Sequence, residues 1–187
     1  MEANKRSALL LSLMEELKCH GSWCGETHIQ KATFFLQDMA KVNLGLDFIL
    51  YKHGPFSFDL RDELSEMRAN QLLEMQPVPP YGPRFRPTEI GQNLVQRFPK
   101  TIRRHQEAIE FVAERLGHYD VANLERLSTA LLVLQEGSDP EEAARKLNSV
   151  KPHIHLSSAK HAISEIQTLV EDFQQLKDTP SASEICE

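Results

Sequence analysis

Apolar side chains recur at helical spacing through the N-terminal part of the chain. Leucine and methionine side chains over residues 10–17 follow one another every three or four positions, which predicts an amphipathic helix over 4–18. A second apolar stripe predicts a helix over 27–41, with Thr27 as its N-cap. Apolar and aromatic residues then predominate in the segment 46–52, between two glycines, and predict a short strand.

A capped helix and a hairpin follow in the sequence. Ser57 is placed to cap a third helix, which we expect to end at Asn70, because asparagine tolerates the left-handed backbone conformation that ends many helices. Segments 72–77 and 84–87 predict the two strands of a hairpin, since the proline-rich stretch between them can only turn. Thr88 is then the predicted N-cap of a fourth helix.

The second half of the chain predicts helices alone. Asp120 is a suitable N-cap, and Asp139-Pro140 is an N-cap followed by proline at the first helical position. Apolar stripes predict helices over 101–116, 121–135 and 141–147, and a last helix from Ser157 or Ser158 to about residue 176.

The order helix, helix, strand, helix, hairpin, helix is typical of a winged helix-turn-helix. Thr88 and Gly91, directly after the second hairpin strand, look like a pair that recurs across winged-helix proteins. We therefore predict a mainly α fold. It comprises a winged helix-turn-helix core with a small β-hairpin wing over 1–98, a C-terminal helical extension over 99–177 and a disordered tail over 178–187.

Length and composition narrow the class of protein. The chain has 187 residues, of which 41% are hydrophobic and 26% charged, as in a globular protein. No apolar run approaches the roughly 18 residues of a membrane span, and the first residues lack the hydrophobic core of a signal peptide. The cysteines Cys19, Cys24 and Cys186 are too few and too oddly spaced for a disulfide framework. These features predict a cytoplasmic protein with no membrane partner.

Charge is distributed unevenly along the chain. The net charge is −6 overall, whereas residues 84–105 carry +5. This basic segment is a candidate contact for nucleic acid or for an acidic protein surface, including the acidic C-terminal helices of the same chain, and we favour the protein surface. The six candidate residues are Arg84, Arg86, Arg97, Lys100, Arg103 and Arg104.

The third predicted helix is acidic, although it is the element that would enter the major groove of DNA in a winged helix-turn-helix. It carries two arginines and four carboxylates: Asp59, Asp62, Glu63 and Glu66. We expect all four carboxylates on its outward half, where they oppose binding to DNA phosphates. They are therefore predicted to contact a partner protein.

Four potential metal ligands lie close together in sequence: Cys19, His20, Cys24 and His28. Their spacing is not that of two tight ligand pairs on turns, so free thiols are the preferred interpretation. His153 and His155 have no neighbouring carboxylate in sequence to orient them, and a loop between helices is preferred there. The chain also contains no nucleophile elbow, phosphate loop, dinucleotide fingerprint or zincin helix. We predict no metal, no cofactor and no enzymatic activity.

The chain resembles bacterial YwgA-like proteins in the segments 29–36 (IQKATFFL) and 51–57 (YKHGPFS), followed by an acidic helix and a hairpin. These proteins share the tyrosine and the Gly-Pro-aromatic-Ser pattern with the Panacea (SocA-like) antitoxin domain. The resemblance covers about residues 5–98, and more loosely the Lys-Pro segment over 147–153. It implies a winged-helix-like core with added helices, and it implies binding and neutralisation of partner toxins rather than a settled activity.

Turn chemistry accounts for the Gly-Pro-aromatic-Ser segment, because Gly54 and Pro55 set a fixed corner between strand and helix and Ser57 caps that helix. A rigid corner is therefore the first interpretation. Together with the acidic helix, the segment is also the candidate partner-binding surface, through Tyr51, Gly54, Pro55 and Phe56.

These patterns lead to two functional hypotheses. The first is a non-enzymatic protein-interaction module, an antitoxin, adaptor or accessory subunit of a bacterial defence or toxin–antitoxin system, whose partner is a toxin or effector subunit. The alternative is a winged-helix DNA-binding transcriptional regulator that binds nucleic acid through its wing and forms a homodimer through its C-terminal helices. A metal-dependent hydrolase built on the segment 19–28 ranks last.

Overall fold

The protein is mainly helical in a computed structural model that describes residues 1–80, 82–137 and 139–178. The α-helices are α1 (Ala3–Cys19), α2 (Glu26–Phe34), α3 (Phe58–Ala69), α4 (Glu89–Gln96), α5 (Pro99–Leu116), α6 (Val121–Gln135), α7 (Pro140–Val150) and α8 (Leu156–Asp178). Two antiparallel hairpins pair β1 (Ile49–Tyr51) with β2 (Gly54–Phe56), and β3 (Leu73–Gln76) with β4 (Arg84–Pro87). The predicted mainly α class and the hairpin over 72–87 are confirmed.

The central element of the first half is α1, which packs against α2, α4, α5 and β4. Its leucines are buried, and so are the polar side chains Ser7 and Ser12 on its other faces. A helix that is buried on several faces forms the middle of a core rather than one of its walls. The predicted helix over 4–18 is thus confirmed, within one residue at each end.

Two predicted N-caps start the helices on either side of the β3–β4 hairpin, α3 and α4. The Ser57 hydroxyl accepts a hydrogen bond from the Leu60 N–H at 3.2 Å, and the Thr88 hydroxyl accepts one from the Gly91 N–H at 3.1 Å. Glycine is required at position 91, because a Cβ there would lie 2.1 Å from the Leu72 carbonyl oxygen. The Thr88 and Gly91 pair therefore starts α4 and lets it approach the backbone before β3.

The second predicted helix is wrong at both ends. Its N-cap is Gly25 rather than Thr27, because α2 already begins at Glu26. The α-helical hydrogen bonds stop at Phe34, and the chain continues as a π-helical segment over Phe35–Met39. Hydrophobic periodicity does not distinguish these two helical forms over so short a stretch.

The third predicted helix ends at its C-cap Asn70, as expected, but the left-handed residue lies one position later. Asn70 keeps a negative φ of −84°, and the left-handed residue is Gln71, with a φ of 58°. The Gln71 carbonyl accepts a hydrogen bond from the Thr88 hydroxyl at 2.6 Å. The left-handed residue is thus the one whose carbonyl is bonded across the hairpin, although asparagine adopts that conformation more readily than glutamine.

The strand predicted over 46–52 is shorter than expected. The side-chain amide of Gln37 occupies both backbone groups of Leu46: its Oε1 accepts from the Leu46 N–H at 2.9 Å, and its Nε2 donates to the Leu46 carbonyl at 2.8 Å. Strand pairing therefore begins only at Ile49. The segment Gly54–Phe56, predicted as a corner, instead forms β2 and pairs with β1 in the register Ile49↔Phe56 and Tyr51↔Gly54.

Capping chemistry predicts the C-terminal helices well. The Asp120 carboxylate accepts from the Asn123 N–H at 2.8 Å, and Asp139 accepts from the N–H groups of Glu141 and Glu142 at 2.9 and 3.1 Å. Helix α5 starts two residues before the predicted position, because Pro99 occupies its first turn. Helices α7 and α8 pack against each other and are longer than predicted.

The chain divides into two compact units between Thr129 and Ala130, inside α6. The boundary predicted at residue 98 lies within the first unit, because α5 packs along α1. The predicted tail lies outside the described residues, apart from Asp178, which ends α8. Over residues 1–80, 82–137 and 139–178, no helix combines the length and the apolar character that crossing a membrane requires.

Candidate functional site

Strand β1 exposes three consecutive apolar side chains. Ile49 is 49% exposed, Leu50 42% and Tyr51 45%. A two-residue turn over 52–53 returns the chain into β2, so the hairpin presents these side chains at the surface of the first unit. Contiguous exposed apolar side chains of this kind mark interaction surfaces more often than isolated ones do.

Three aromatic rings extend this apolar strand. The ring centroids of Tyr51, Phe56 and Phe58 are 5.1 to 5.7 Å apart in each pairing. The Arg61 guanidinium lies 5.0 Å from the centre of the Phe58 ring. Rings at these separations stabilise one another and hold one another in place. Side chains alternate between the two faces of a strand, so Ile49 and Tyr51 share a face with Phe56, the partner of Ile49, whereas Leu50 lies on the opposite face. We call the surface formed by Ile49, Tyr51, Phe56 and Phe58 the aromatic surface.

Helix α3, which starts at the aromatic surface, carries three exposed carboxylates: Asp59, Asp62 and Glu66. The Arg61 guanidinium donates to Asp62 at 2.8 and 3.0 Å, which partly compensates the negative charge. We call these three carboxylates the acidic rim. They stand where acidic partner-binding residues were predicted.

The prediction that all four carboxylates of this helix face outward is wrong for Glu63. Its side chain is only 8% exposed and turns towards α1. The Arg6 guanidinium donates to it at 2.5 Å, and the Ser7 hydroxyl donates to its other oxygen at 3.1 Å. Arg6 also donates to the Leu44 carbonyl at 3.2 Å. Glu63 is therefore a buried structural anchor for α3 and is not available to a partner.

Gly54 and Pro55 are also buried, in contrast to their predicted contact with a partner. Gly54 has a φ of +82°, and a Cβ there would lie 2.7 Å from the Thr129 hydroxyl of α6. The two residues thus place the β1–β2 hairpin against the part of α6 that belongs to the first unit. Tyr51 and Phe56, on either side of them, are the residues of this segment that contribute side chains to the aromatic surface.

Two side chains of α2 hold this segment, and sequence reasoning missed both. The Gln30 amide donates to the Ser57 carbonyl and accepts from the Ser57 N–H, both at 2.9 Å. The Lys31 ammonium, 1% exposed, donates to the Pro55 carbonyl at 2.6 Å. The position of both residues in the segment 29–36, in an otherwise apolar stripe, was the only indication available from the sequence.

The six predicted basic contacts do not share one environment. Arg84 donates to the Gln76 side chain at 3.0 Å and lies 5.6 Å over the Trp23 ring, and Arg86 faces Glu74 across the hairpin. Residues Arg97, Lys100 and Arg104 line a cleft elsewhere in the first unit, and Arg103 is exposed outside it.

Comparison of the chain with protein-family models and with curated proteins finds no match. The resemblance to YwgA-like proteins and to the Panacea domain therefore stays a prediction.

The candidate metal ligands of the segment 19–28 are dispersed. Cys19 is exposed, whereas Cys24 is buried with its Sγ 3.6 Å from the Met14 carbonyl oxygen, and burial raises the pKa of its thiol. Burial lowers the pKa of His28. No group of three His, Cys, Asp or Glu side chains suited to a metal ion occurs in the described part of the chain, and Cys186 lies outside it.

The histidine-containing segment lies, as predicted, in a connection between two helices. His153 and His155 follow α7 and precede α8, and both are exposed. The Asn148 amide donates to the Ile154 carbonyl at 2.7 Å and fixes the connection from within. The connection between α7 and α8 is sufficient to explain the positions of both histidines.

Proposed function

We propose that this chain is a non-enzymatic interaction module that binds a partner protein through the aromatic surface and its acidic rim. In this role it serves as an antitoxin, adaptor or accessory subunit of a bacterial defence or toxin–antitoxin system. The observation that carries the proposal is the pair of exposed side chains Ile49 and Tyr51 on one face of β1, continued by the rings of Phe56 and Phe58.

The composition of this surface supports a protein partner. Protein interfaces typically combine an apolar centre rich in aromatic residues with a charged or polar rim. Tyrosine and tryptophan side chains in such centres contribute a large share of the binding energy, and Tyr51 lies in the middle of the aromatic surface. The acidic rim specifies a partner with basic residues around an apolar contact. A second copy would bring two acidic rims together, which disfavours self-association through this surface.

The position of α3 in the fold also supports a protein partner. Helices α1, α2 and α3 followed by the β3–β4 hairpin are in the order of a winged helix-turn-helix, and such a core is part of the proposal. In that fold α3 would be the helix that enters DNA. Its exposed Asp59, Asp62 and Glu66 would lie against phosphates, and repulsion by three carboxylates opposes such binding.

The test is co-expression of the full chain with the products of the genes beside its own. We expect one of them to be toxic alone and to form a stoichiometric complex that relieves the toxicity. Tyr51→Ser combined with Phe58→Ser should abolish both the complex and the relief. Ile90→Ser, at an exposed apolar residue of α4 outside the aromatic surface, is the matched control and should change neither.

Two results would contradict the proposal. Complex formation that survives the double serine variant would remove the aromatic surface from the interaction. Loss of the complex in the Ile90→Ser variant as well would show that the variants act through general loss of structure or solubility. Circular dichroism and thermal unfolding of each variant separate these two cases.

The second candidate function is DNA binding through the β3–β4 hairpin, which is favoured by the exposed Arg84 and Arg86 on one strand. It requires a mobility shift of the DNA upstream of the gene at low salt, weakened by salt and lost in Arg84→Glu/Arg86→Glu. The absence of any shift at low salt would dispose of it. Arg103→Glu, an exposed charge reversal outside the hairpin, is the control.

A further inference from the structure

The first unit contains a cleft of about 900 Å³ that is unrelated to the aromatic surface. Its walls come from the start of α1, from the turn after the π-helical segment and from the junction of α4 with α5. These three parts are far apart in sequence. Five cationic side chains line the cleft: Lys5, Lys41, Arg97, Lys100 and Arg104.

The protein neutralises only part of the positive charge of this cleft. The only carboxylate among its described lining residues is Glu2, which pairs with Lys5 at 3.0 Å. The side chains of Arg97, Lys100 and Arg104 form no ion pair or hydrogen bond with any residue that the structure describes. Asp38, which does not line the cleft, interacts electrostatically with Lys41. Five cations against Glu2 and Asp38 leave an excess of about three positive charges in one concave site of a protein whose net charge is −6.

The other lining groups add hydrogen-bond donors of the kind that anions need. Thr101 and Asn43 contribute a hydroxyl and an amide. The first turn of α5 lines the cleft, and its N-cap Phe98 supplies no side-chain hydrogen bond to that turn. The positive end of the helix dipole thus adds to the side-chain charges rather than being compensated by a cap.

We propose that this cleft binds a small molecule that carries two or more phosphate groups. Two arginines offer planar donor pairs that match phosphate oxygens, and the lysines add compact positive charges around them. A single carboxylate would leave most of the positive charge unbalanced, whereas an oligophosphate would neutralise it. The volume lies within the range of roughly 300–1,000 Å³ that holds small-molecule ligands and cofactors.

A small ligand fits these observations better than duplex DNA. Duplex binding draws on a row of cationic contacts along the outside of a rod. Here the cations converge on a concavity, and the hairpin arginines Arg84 and Arg86 are not among the lining residues. The proposal does not depend on the partner protein, since none of the residues of the aromatic surface lines the cleft.

The test uses calorimetric titration of the full chain with sodium tripolyphosphate and, separately, with ATP in the absence of divalent cations. We expect both probes to bind, with an affinity that falls as salt rises. Arg104→Glu and Lys41→Glu should each weaken binding about tenfold or more, because each places a carboxylate against the phosphates. Lys100→Gln, which removes a charge without reversing it, should weaken binding less.

Arg103→Glu is the matched control, because Arg103 neighbours Arg104 on α5 and is exposed but does not line the cleft. We expect its affinity to stay within about twofold of the unchanged protein, since residues adjacent in a helix point about 100° apart. Three outcomes would overturn the proposal: no binding of either probe at low salt, an equal loss in Arg103→Glu and Arg104→Glu, or tighter binding of duplex DNA that Arg84→Glu removes. Thermal unfolding of each variant verifies that it is folded.

Discussion

Replacing Glu63 by alanine should destabilise the protein far more than replacing Glu66, three residues further along α3. The Glu63 carboxylate holds Arg6 at 2.5 Å and Ser7 at 3.1 Å and is 8% exposed. Glu66 is exposed and makes no side-chain hydrogen bond or ion pair with a described residue. Alanine is a good helix former at both positions, so the difference between the two variants reports the side-chain contacts.

The expected loss of stability follows from the Arg6 charge that remains after Glu63 is removed. Removing one partner of a fully buried ion pair costs about 3–5 kcal/mol, because the remaining charge stays desolvated, whereas an exposed pair contributes about 0–1 kcal/mol. The Arg6 side chain is 23% exposed and keeps its hydrogen bond to the Leu44 carbonyl. We therefore expect Glu63→Ala to cost about 2–3 kcal/mol and Glu66→Ala to stay within about 0.5 kcal/mol.

Urea unfolding followed by circular dichroism measures both values, provided that the dependence on urea concentration is unchanged. The double variant Arg6→Ala/Glu63→Ala closes a thermodynamic cycle, and we expect a coupling energy above about 1 kcal/mol. A Glu63→Ala variant that is as stable as Glu66→Ala would refute the assignment of Glu63 as a buried anchor. The earlier expectation of four outward carboxylates would then stand.

Three further substitutions test the fold around the site. Gln30→Met leaves the buried Ser57 N–H without its acceptor and should cost about 1–3 kcal/mol in urea unfolding. Gly91→Ala, which would stabilise an unobstructed helix, should instead destabilise by about 1–3 kcal/mol, because its Cβ meets the Leu72 carbonyl. His28→Gln should reduce the loss of stability on lowering the pH below about 6.5, measured by urea unfolding across that range.

The sign of the histidine effect follows from burial. Burial lowers the pKa of His28 in the folded chain, so the unfolded chain binds the proton more tightly and gains from acidification. His28 therefore costs no stability above the ordinary histidine pKa of about 6.5, and the free energy of unfolding declines as the pH falls through that value. An unchanged pH dependence in His28→Gln would contradict this account.

The control for Gln30→Met is Gln96→Met, because Gln96 is exposed. An equal loss of stability in Gln96→Met would rule out the Ser57 contact as the cause.

Local chemistry in the sequence predicts the helices and their starts well. Ser57, Thr88 and Asp139 cap the helices that their positions indicate, because a hydroxyl or carboxylate two or three residues from an N–H needs no tertiary contact to find it. The errors occur where distant groups decide. Gln37 shortens the predicted strand by bonding Leu46, and this contact leaves no periodic trace in the sequence.

In the candidate site, too, local features could be predicted from the sequence and distant contacts could not. Tyr51 and Phe56 could be assigned to a surface from their segment, but the burial of Gly54 against α6 could not. The roles of Gln30 and Lys31 also depend on a chain segment more than twenty residues away. Helical periodicity places a charged side chain on a face, and only the packing of α1 reveals that the face bearing Glu63 is an interior one.

Charge summed along a segment does not define a binding surface. The basic segment over 84–105 is split by the fold: Arg84 is engaged with Gln76 and Trp23, whereas Arg97, Lys100 and Arg104 meet lysines that come from α1 and from the turn after the π-helical segment. The cationic cleft therefore exists only in the folded first unit. The acidic rim, in contrast, consists of neighbouring residues of one helix, α3. Variants that destabilise the first unit should therefore abolish phosphate binding before they alter the charge that α3 presents to a partner.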